Sequence, residues 1–279
     1  MKKWLAAAFL FAVGLTACGG GGGNSDGGSP TPAAKALTIS MYGKPIVSAP
    51  AKVARAQFSL ISAAVAAEAP GAASDTQATV QTLTDALAAR GVTASIAPQV
   101  MDGTTLHQIV TTQYSGKSPD PSQFKDPSEW LIVNFQLDDM VTPASDPAQQ
   151  AAAQQFSADL LVFSQWAAVA GKAVFVVYPI QTCDTQYSAS AALDWALHDA
   201  FSHGAPIRFT GGVPTGFGFD ASGKPTPNVG TDLSHYGADC RTPDAYLQNL
   251  QVQSIADDVA LAYKETGAAA PASGASATQ

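Results

Sequence analysis

The sequence predicts an α/β domain in three layers, a mostly parallel five-stranded sheet lying between helices. Two continuous apolar runs, Trp130–Phe135 (WLIVNF) and Ala173–Tyr178 (AVFVVY), have the pattern of strands covered on both faces. Helical patterns alternate with the strand candidates, the order that produces parallel pairing. With 46% hydrophobic and 13% charged residues over 279 positions, the chain has enough apolar material for a sizeable core, which excludes wholesale disorder.

In chain order, Leu37–Met41 is a short strand candidate. Thr76–Arg90 reads as a helix, with Val80, Leu83 and Leu87 on one face and Gly91 as its stop. Val92–Ala97 follows as a second strand, and Trp130–Phe135 is the third. Residues 145–171 form a long helix, with Pro147 in its first turn and Phe156, Leu160 and Phe163 along one face. Ala173–Tyr178 is the fourth strand, residues 188–202 a helix, and Pro206–Thr210 a weaker fifth strand. Pro243–Lys264 closes the domain as a helix, with Pro243 near its first turn and Leu247, Leu250 and Ile255 on its inner side. His107, His198 and His203 fall on helical stretches and are expected to face solvent. No internal repeat is present. In such a fold the site forms in loops at the carboxyl ends of the strands.

Fourteen basic against 22 acidic residues give a formal charge of −8, with no basic face for nucleic acid. Three cysteines exclude a disulfide-dense miniprotein and a zinc-ribbon frame. The first residues read as an address. Lys2 and Lys3 precede an apolar stretch, Trp4–Thr16, too short to span a bilayer stably. It ends in Leu15-Thr16-Ala17-Cys18, which resembles a bacterial lipobox. The resemblance implies cleavage after residue 17 and lipidation of Cys18. Residues 18–35, mostly Gly, Ser and Pro, read as a tether, and residues 266–279 as a disordered tail. Gly19 after the cysteine is similar to lipoproteins sent to the outer membrane. The partner expected here is therefore a membrane, reached through a lipid anchor.

Four blocks carry a further resemblance over residues 36–265: Tyr42-Gly43-Lys44-Pro45, Asp102-Gly103-Thr104-Thr105-Leu106, Asn134-Phe135-Gln136-Leu137-Asp138-Asp139, and Asp239-Cys240-Arg241-Thr242-Pro243. In order and spacing they resemble the SGNH/GDSL hydrolases, serine esterases of flavodoxin-like αβα fold. The resemblance implies that fold, and it implies a site whose chemistry is altered. The nucleophilic serine falls on Pro45, which has neither a hydroxyl nor an N–H. Ser48, three residues on, is either a displaced nucleophile or a capping serine. Gly103 matches the glycine of the oxyanion hole and also suits a tight turn. The oxyanion asparagine falls on Asp138, whose charge would repel a forming oxyanion. Asp138 with Asp139 lacks the further ligands that a metal needs.

The last block has two alignments. In the first, Asp239 is kept and the base histidine becomes Thr242, which cannot act as a general base at neutral pH. In the second, Asp232-Leu233-Ser234-His235 supplies a true Asp and His, without the proline and helix that should follow.

After Cys18, the remaining cysteines Cys183 and Cys240 fall at the same end of the sheet, and in an exported protein they are expected to form a disulfide. No cofactor or metal is expected. Two functions stay open: a tethered binding module for an acylated glycan, a lipid or an envelope protein, and an esterase or acetyl-hydrolase using Ser48, His235 and Asp232.

Overall fold

A computed structural model describes residues 36–49, 72–114, 117–122, 124–137, 140, 142–143, 146–184, 189–215, 217–219, 221, 225–227, 233–238 and 240–266. The leader, Cys18, the tether, Asp138, Asp139, Asp232, Asp239 and the tail from residue 267 lie outside the described residues. Thr266, placed above with the tail, caps the last helix.

The chain runs β1 (Leu37–Gly43), α1 (Ala72–Ala88), β2 (Ala94–Val100), α2 (Leu106–Gln113), β3 (Trp130–Asn134), α3 (Pro147–Val169), β4 (Ala173–Val177), α4 (Ser190–Ser202), β5 (Ile207–Thr210), β6 (Phe217–Phe219), β7 (Pro225–Pro227) and α5 (Ala245–Glu265). Strands β1 to β5 make one parallel sheet in the order β2-β1-β3-β4-β5, and β6 pairs antiparallel with β7. This is the flavodoxin-like order, whose switch point lies between β1 and β3.

Alternation along the strands sorts the core into two layers. Ile39, Met41, Ile132, Phe175 and Val177 pack with Leu83, Leu87, Val252, Ile255 and Val259 of α1 and α5. Tyr42, Leu131, Val133, Val174 and Val176 face the opposite way, onto Ile109 of α2, Leu160 and Phe163 of α3, and Leu193 and Leu197 of α4.

Several boundaries move for local reasons. Val92 does not open β2, because its N–H donates to Leu87 O while Gly91 N–H donates to Ala88 O, both at 3.0 Å. That is a Schellman closure with Gly91 at φ 76°, and the strand starts two residues later. Pro98 is tolerated in β2 because β2 is an edge strand. Helix α5 starts after Pro243: Asp244 is its N-cap and accepts from the N–H groups of Tyr246 and Leu247. His107 is not simply solvated, since its Nδ1 lies 2.9 Å from Oδ2 of the buried Asp159, tying α2 to α3.

β1 continues through Tyr42 to Gly43, where the chain turns against the end of β3. Gly43 has φ 91°, and a Cβ there would lie 2.4 Å from the carbonyl carbon and oxygen of Asn134. Both the backbone and the space demand glycine. Gly43→Ala is expected to cost about 3 kcal/mol or more, read as a fall in the denaturation midpoint. A midpoint equal to wild type would show that this close approach is not needed.

Candidate functional site

The loops that follow β1, β3 and β4 meet the start of α4 and the approach to α5 around a cavity of about 340 Å³. Its lining is mixed: Pro45, Ile46, Pro179, Ile180 and Pro243 are apolar, and Ser48, Asn134, Gln136, Thr182, Gln248 and Gln251 are polar. Lys44 and Arg241 also line it. This is the carboxyl-end crevice where an open parallel sheet places its ligands.

The first loop is held by side chains from one strand, β3, and two helices, α1 and α5. Lys44 N–H donates to Asn134 O, and Asn134 Nδ2 donates back to Lys44 O, both at 2.9 Å. The N–H groups of Ile46 and Val47 both donate to Thr79 Oγ1 of α1 at 3.0 Å. Ser48 N–H donates to Gln248 Oε1 at 3.0 Å, and Ala49 N–H to Asp75 Oδ1 at 2.7 Å. Every amide from Lys44 to Ala49 is therefore engaged within the protein, except at Pro45, which has none. An oxyanion hole needs amides aimed into the cavity and held ready for a forming charge. The amides of this loop are already committed elsewhere.

Thr79 is fully buried and serves two donors at once. Thr79→Val keeps the shape and removes the acceptor, leaving two amides unsatisfied. A loss of about 2–4 kcal/mol in unfolding free energy is expected, with Thr79→Ser restoring most of it. A silent Thr79→Val would mean that water can replace the hydroxyl.

Ser48 lines the cavity, but its Oγ is met by Gln248 Nε2 at 3.4 Å rather than by an imidazole. Gln248 also donates to Pro243 O at 3.1 Å, so one amide side chain links the first loop to the α5 approach. Ser48 is thus bonded to Gln248 through both its amide and its hydroxyl.

His235 lies in a short 3-10 turn, Leu233–His235, and does not line the cavity. Its Nδ1 is 2.8 Å from Asp244 Oδ2, and its ring stacks on Tyr246 with centroids 4.3 Å apart. The hydrogen bond from His235 holds the Asp244 carboxyl below its ordinary 3.8, helped by the α5 amides. Asp244 was not among the residues singled out from sequence. It is the carboxylate that orients His235, and its place before a helix is the N-cap signal that could have found it. Thr242 is exposed, and its carbonyl accepts Gly237 N–H at 2.8 Å, although its neighbours Arg241 and Pro243 line the cavity. Gly103 follows β2 at φ 95° beside Asp102, whose carboxylate caps the turn by accepting Thr104 N–H and Oγ1–H. Gly103 is exposed and does not line the cavity. Of the four blocks, Lys44 and Pro45, Asn134 and Gln136, and the flanks of Thr242 line the crevice, whereas Gly103 does not; Asp138 and Asp239 lie outside the described residues.

Cys183 and Cys240 form the disulfide, with Cα atoms 5.1 Å apart and Cys183 N–H donating to Cys240 O at 3.0 Å. Next to it Arg241 Nε pairs with Asp184 Oδ2 at 2.9 Å. Together they clamp the loop after β4 to the segment before α5, on the rim of the cavity. No group of three or more His, Cys, Asp or Glu placed to hold a metal occurs among the described residues.

The fold and crevice define a doubly wound α/β/α domain with a loop-built pocket at the carboxyl ends of β1, β3 and β4. No family model matches the sequence, and no curated protein matches it. Solved structures do match, among them a carbohydrate esterase family 2 enzyme with a carbohydrate binding domain from Corynascus thermopiles (Myceliophthora fergusii). That chain is 18% identical with a TM-score of 0.43, over 84% of this chain and 69% of its own. A similarity of that size is silent on the chemistry of the pocket.

Proposed function

We propose that the domain is a non-catalytic binding module with an SGNH-hydrolase-like framework, held to the bacterial cell envelope by lipidated Cys18. Its crevice takes a small ligand where an esterase would hold its scissile group. The observation that carries this reading is the hydrogen bonding of residues 44–49. The loop has a proline at the nucleophile position, and every other amide is bonded to protein groups. The mixed apolar and polar lining of the pocket suits an acylated glycan or a lipid headgroup.

The esterase reading keeps one supporting observation, the His235–Asp244 pair, a histidine oriented by a carboxylate as a general base requires. Turnover of short p-nitrophenyl esters separates the two. The binding module gives rates at the buffer background, unchanged in Ser48→Ala. Rates at ordinary enzymatic levels that Ser48→Ala abolishes would establish the esterase instead.

The anchor is tested separately by fractionation. Cys18→Ser is expected to leave the membrane fraction or to accumulate unprocessed. A wild-type protein without acyl groups by mass spectrometry would remove the anchor from the proposal.

A further inference from the structure

A second cavity, of about 680 Å³, opens on the α2 side of the sheet, lined by Tyr42, Gln99, Gln113, Tyr114, Phe124 and Asp126, with Lys117 and Lys125 also on its wall. Asp126 is a charged residue only 8% exposed. A buried carboxylate is costly unless hydrogen-bonded. Asp126 Oδ1 accepts from Ser40 Oγ at 2.9 Å and from Ser128 N–H at 2.7 Å, and Oδ2 accepts from the Tyr42 hydroxyl at 2.5 Å. A carboxylate has about four acceptor positions, and these three donors leave one on Oδ2. Burial, then the bond to Asp126, push the Tyr42 phenol up, so it stays a proton donor at neutral pH. Tyr114 is fixed by stacking on Trp166, with ring centroids 4.4 Å apart. The cavity therefore has a rigid aromatic and acidic floor, while Lys117 and Lys125 are exposed at its edge.

A floor that accepts hydroxyl protons beside edge groups that attract negative charge selects a ligand having both features. We propose that this cavity is a second binding site, for a small polyol bearing an acidic group, its hydroxyls directed to Asp126 and its anion met by Lys117 and Lys125. The site is separate from the crevice after β1, β3 and β4 and does not depend on whether that crevice is catalytic. The volume falls within the range of ordinary small-molecule sites. The acidic group is a carboxylate or a phosphate, and both are met by ammonium groups in the same way.

The test is calorimetric titration of the full chain with glucuronate, glucose 6-phosphate, glucose and acetate. At least one of the two acids is expected to bind about tenfold more tightly than glucose or acetate, and the one that does so identifies the acidic group. Lys117→Gln with Lys125→Gln is expected to reduce that acid to the level of glucose. Asp126→Asn is expected to weaken the acid and glucose alike. Because Asp126 also supports the fold, the lysine double variant, which alters exposed groups only, carries the decision. Acids that bind no better than glucose, a lysine variant that binds the acids as wild type does, or absence of binding for all four probes at millimolar concentration would overturn the proposal.

Discussion

Pro45→Ser is expected to restore neither ester turnover nor labelling by a serine-directed probe. The substitution returns a hydroxyl and one backbone N–H to the position that the SGNH resemblance assigns to the nucleophile. It does not return the rest of the machinery. The amides of Ile46 and Val47 remain bonded to Thr79, and that of Ser48 to Gln248. His235 remains bonded to Asp244 outside the crevice lining, and Thr242 offers no base. Losing one oxyanion donor costs about 3 kcal/mol of transition-state stabilisation, and losing a triad member costs orders of magnitude in rate. These losses do not add, because the groups act as one unit. A single reversion is therefore expected to stay at background. The same reasoning makes the triple variant, Pro45→Ser with Asp138→Asn and Thr242→His, the informative gain-of-function test. Measurable turnover from Pro45→Ser alone would show that the loop amides rearrange freely.

Reduction of Cys183–Cys240 is expected to have the largest effect on stability. The bond closes a separation of 57 residues. Chain entropy gives about 4 kcal/mol for a loop of that length, equivalent to roughly a 10 °C fall in melting temperature for a domain of this size. Cys240 is also the described non-glycine residue with positive φ, at 57°. It is held there by the bridge, by its N–H donating to Gly237 O at 2.8 Å, and by Cys183 N–H on its carbonyl. Once the bridge is cut, Cys240 can relax and the rim carrying Thr182 and Arg241 can separate. Melting with and without reductant, and of the Cys183→Ser, Cys240→Ser double variant, checks this. Equal melting temperatures in both states would remove the disulfide from the account of the rim.

The framework was readable because its signals are local and strong. The apolar runs WLIVNF and AVFVVY have the length and β-branched or aromatic content of covered strands, and Gly91 marks the end of α1. Helix α2 also had a signature, the Thr105–Gln108 capping box, but its eight residues give a weak periodic pattern. The disulfide was legible from topology, which puts Cys183 and Cys240 at the same end of the sheet.

The site was less legible, because its decisive bonds are long-range. Nothing near Ser48 in sequence announces Gln248, two hundred positions away. Nothing near Ile46 announces that Thr79 will take both of its loop's amides. The second cavity shows the same limit: Asp126 stands in a loop without a motif, and only the pairing of β1 brings Ser40 and Tyr42 onto its carboxylate.

Intact-mass analysis after incubation with a fluorophosphonate probe tests the central claim most directly. Such a probe reports an activated serine whatever the natural substrate is. Wild-type protein is expected to keep its unmodified mass, because Ser48 Oγ is bonded to Gln248 and no histidine of the described residues reaches it. A stoichiometric adduct that maps to Ser48 and disappears in Ser48→Ala and His235→Ala would contradict the account, and the crevice would then be a working esterase site.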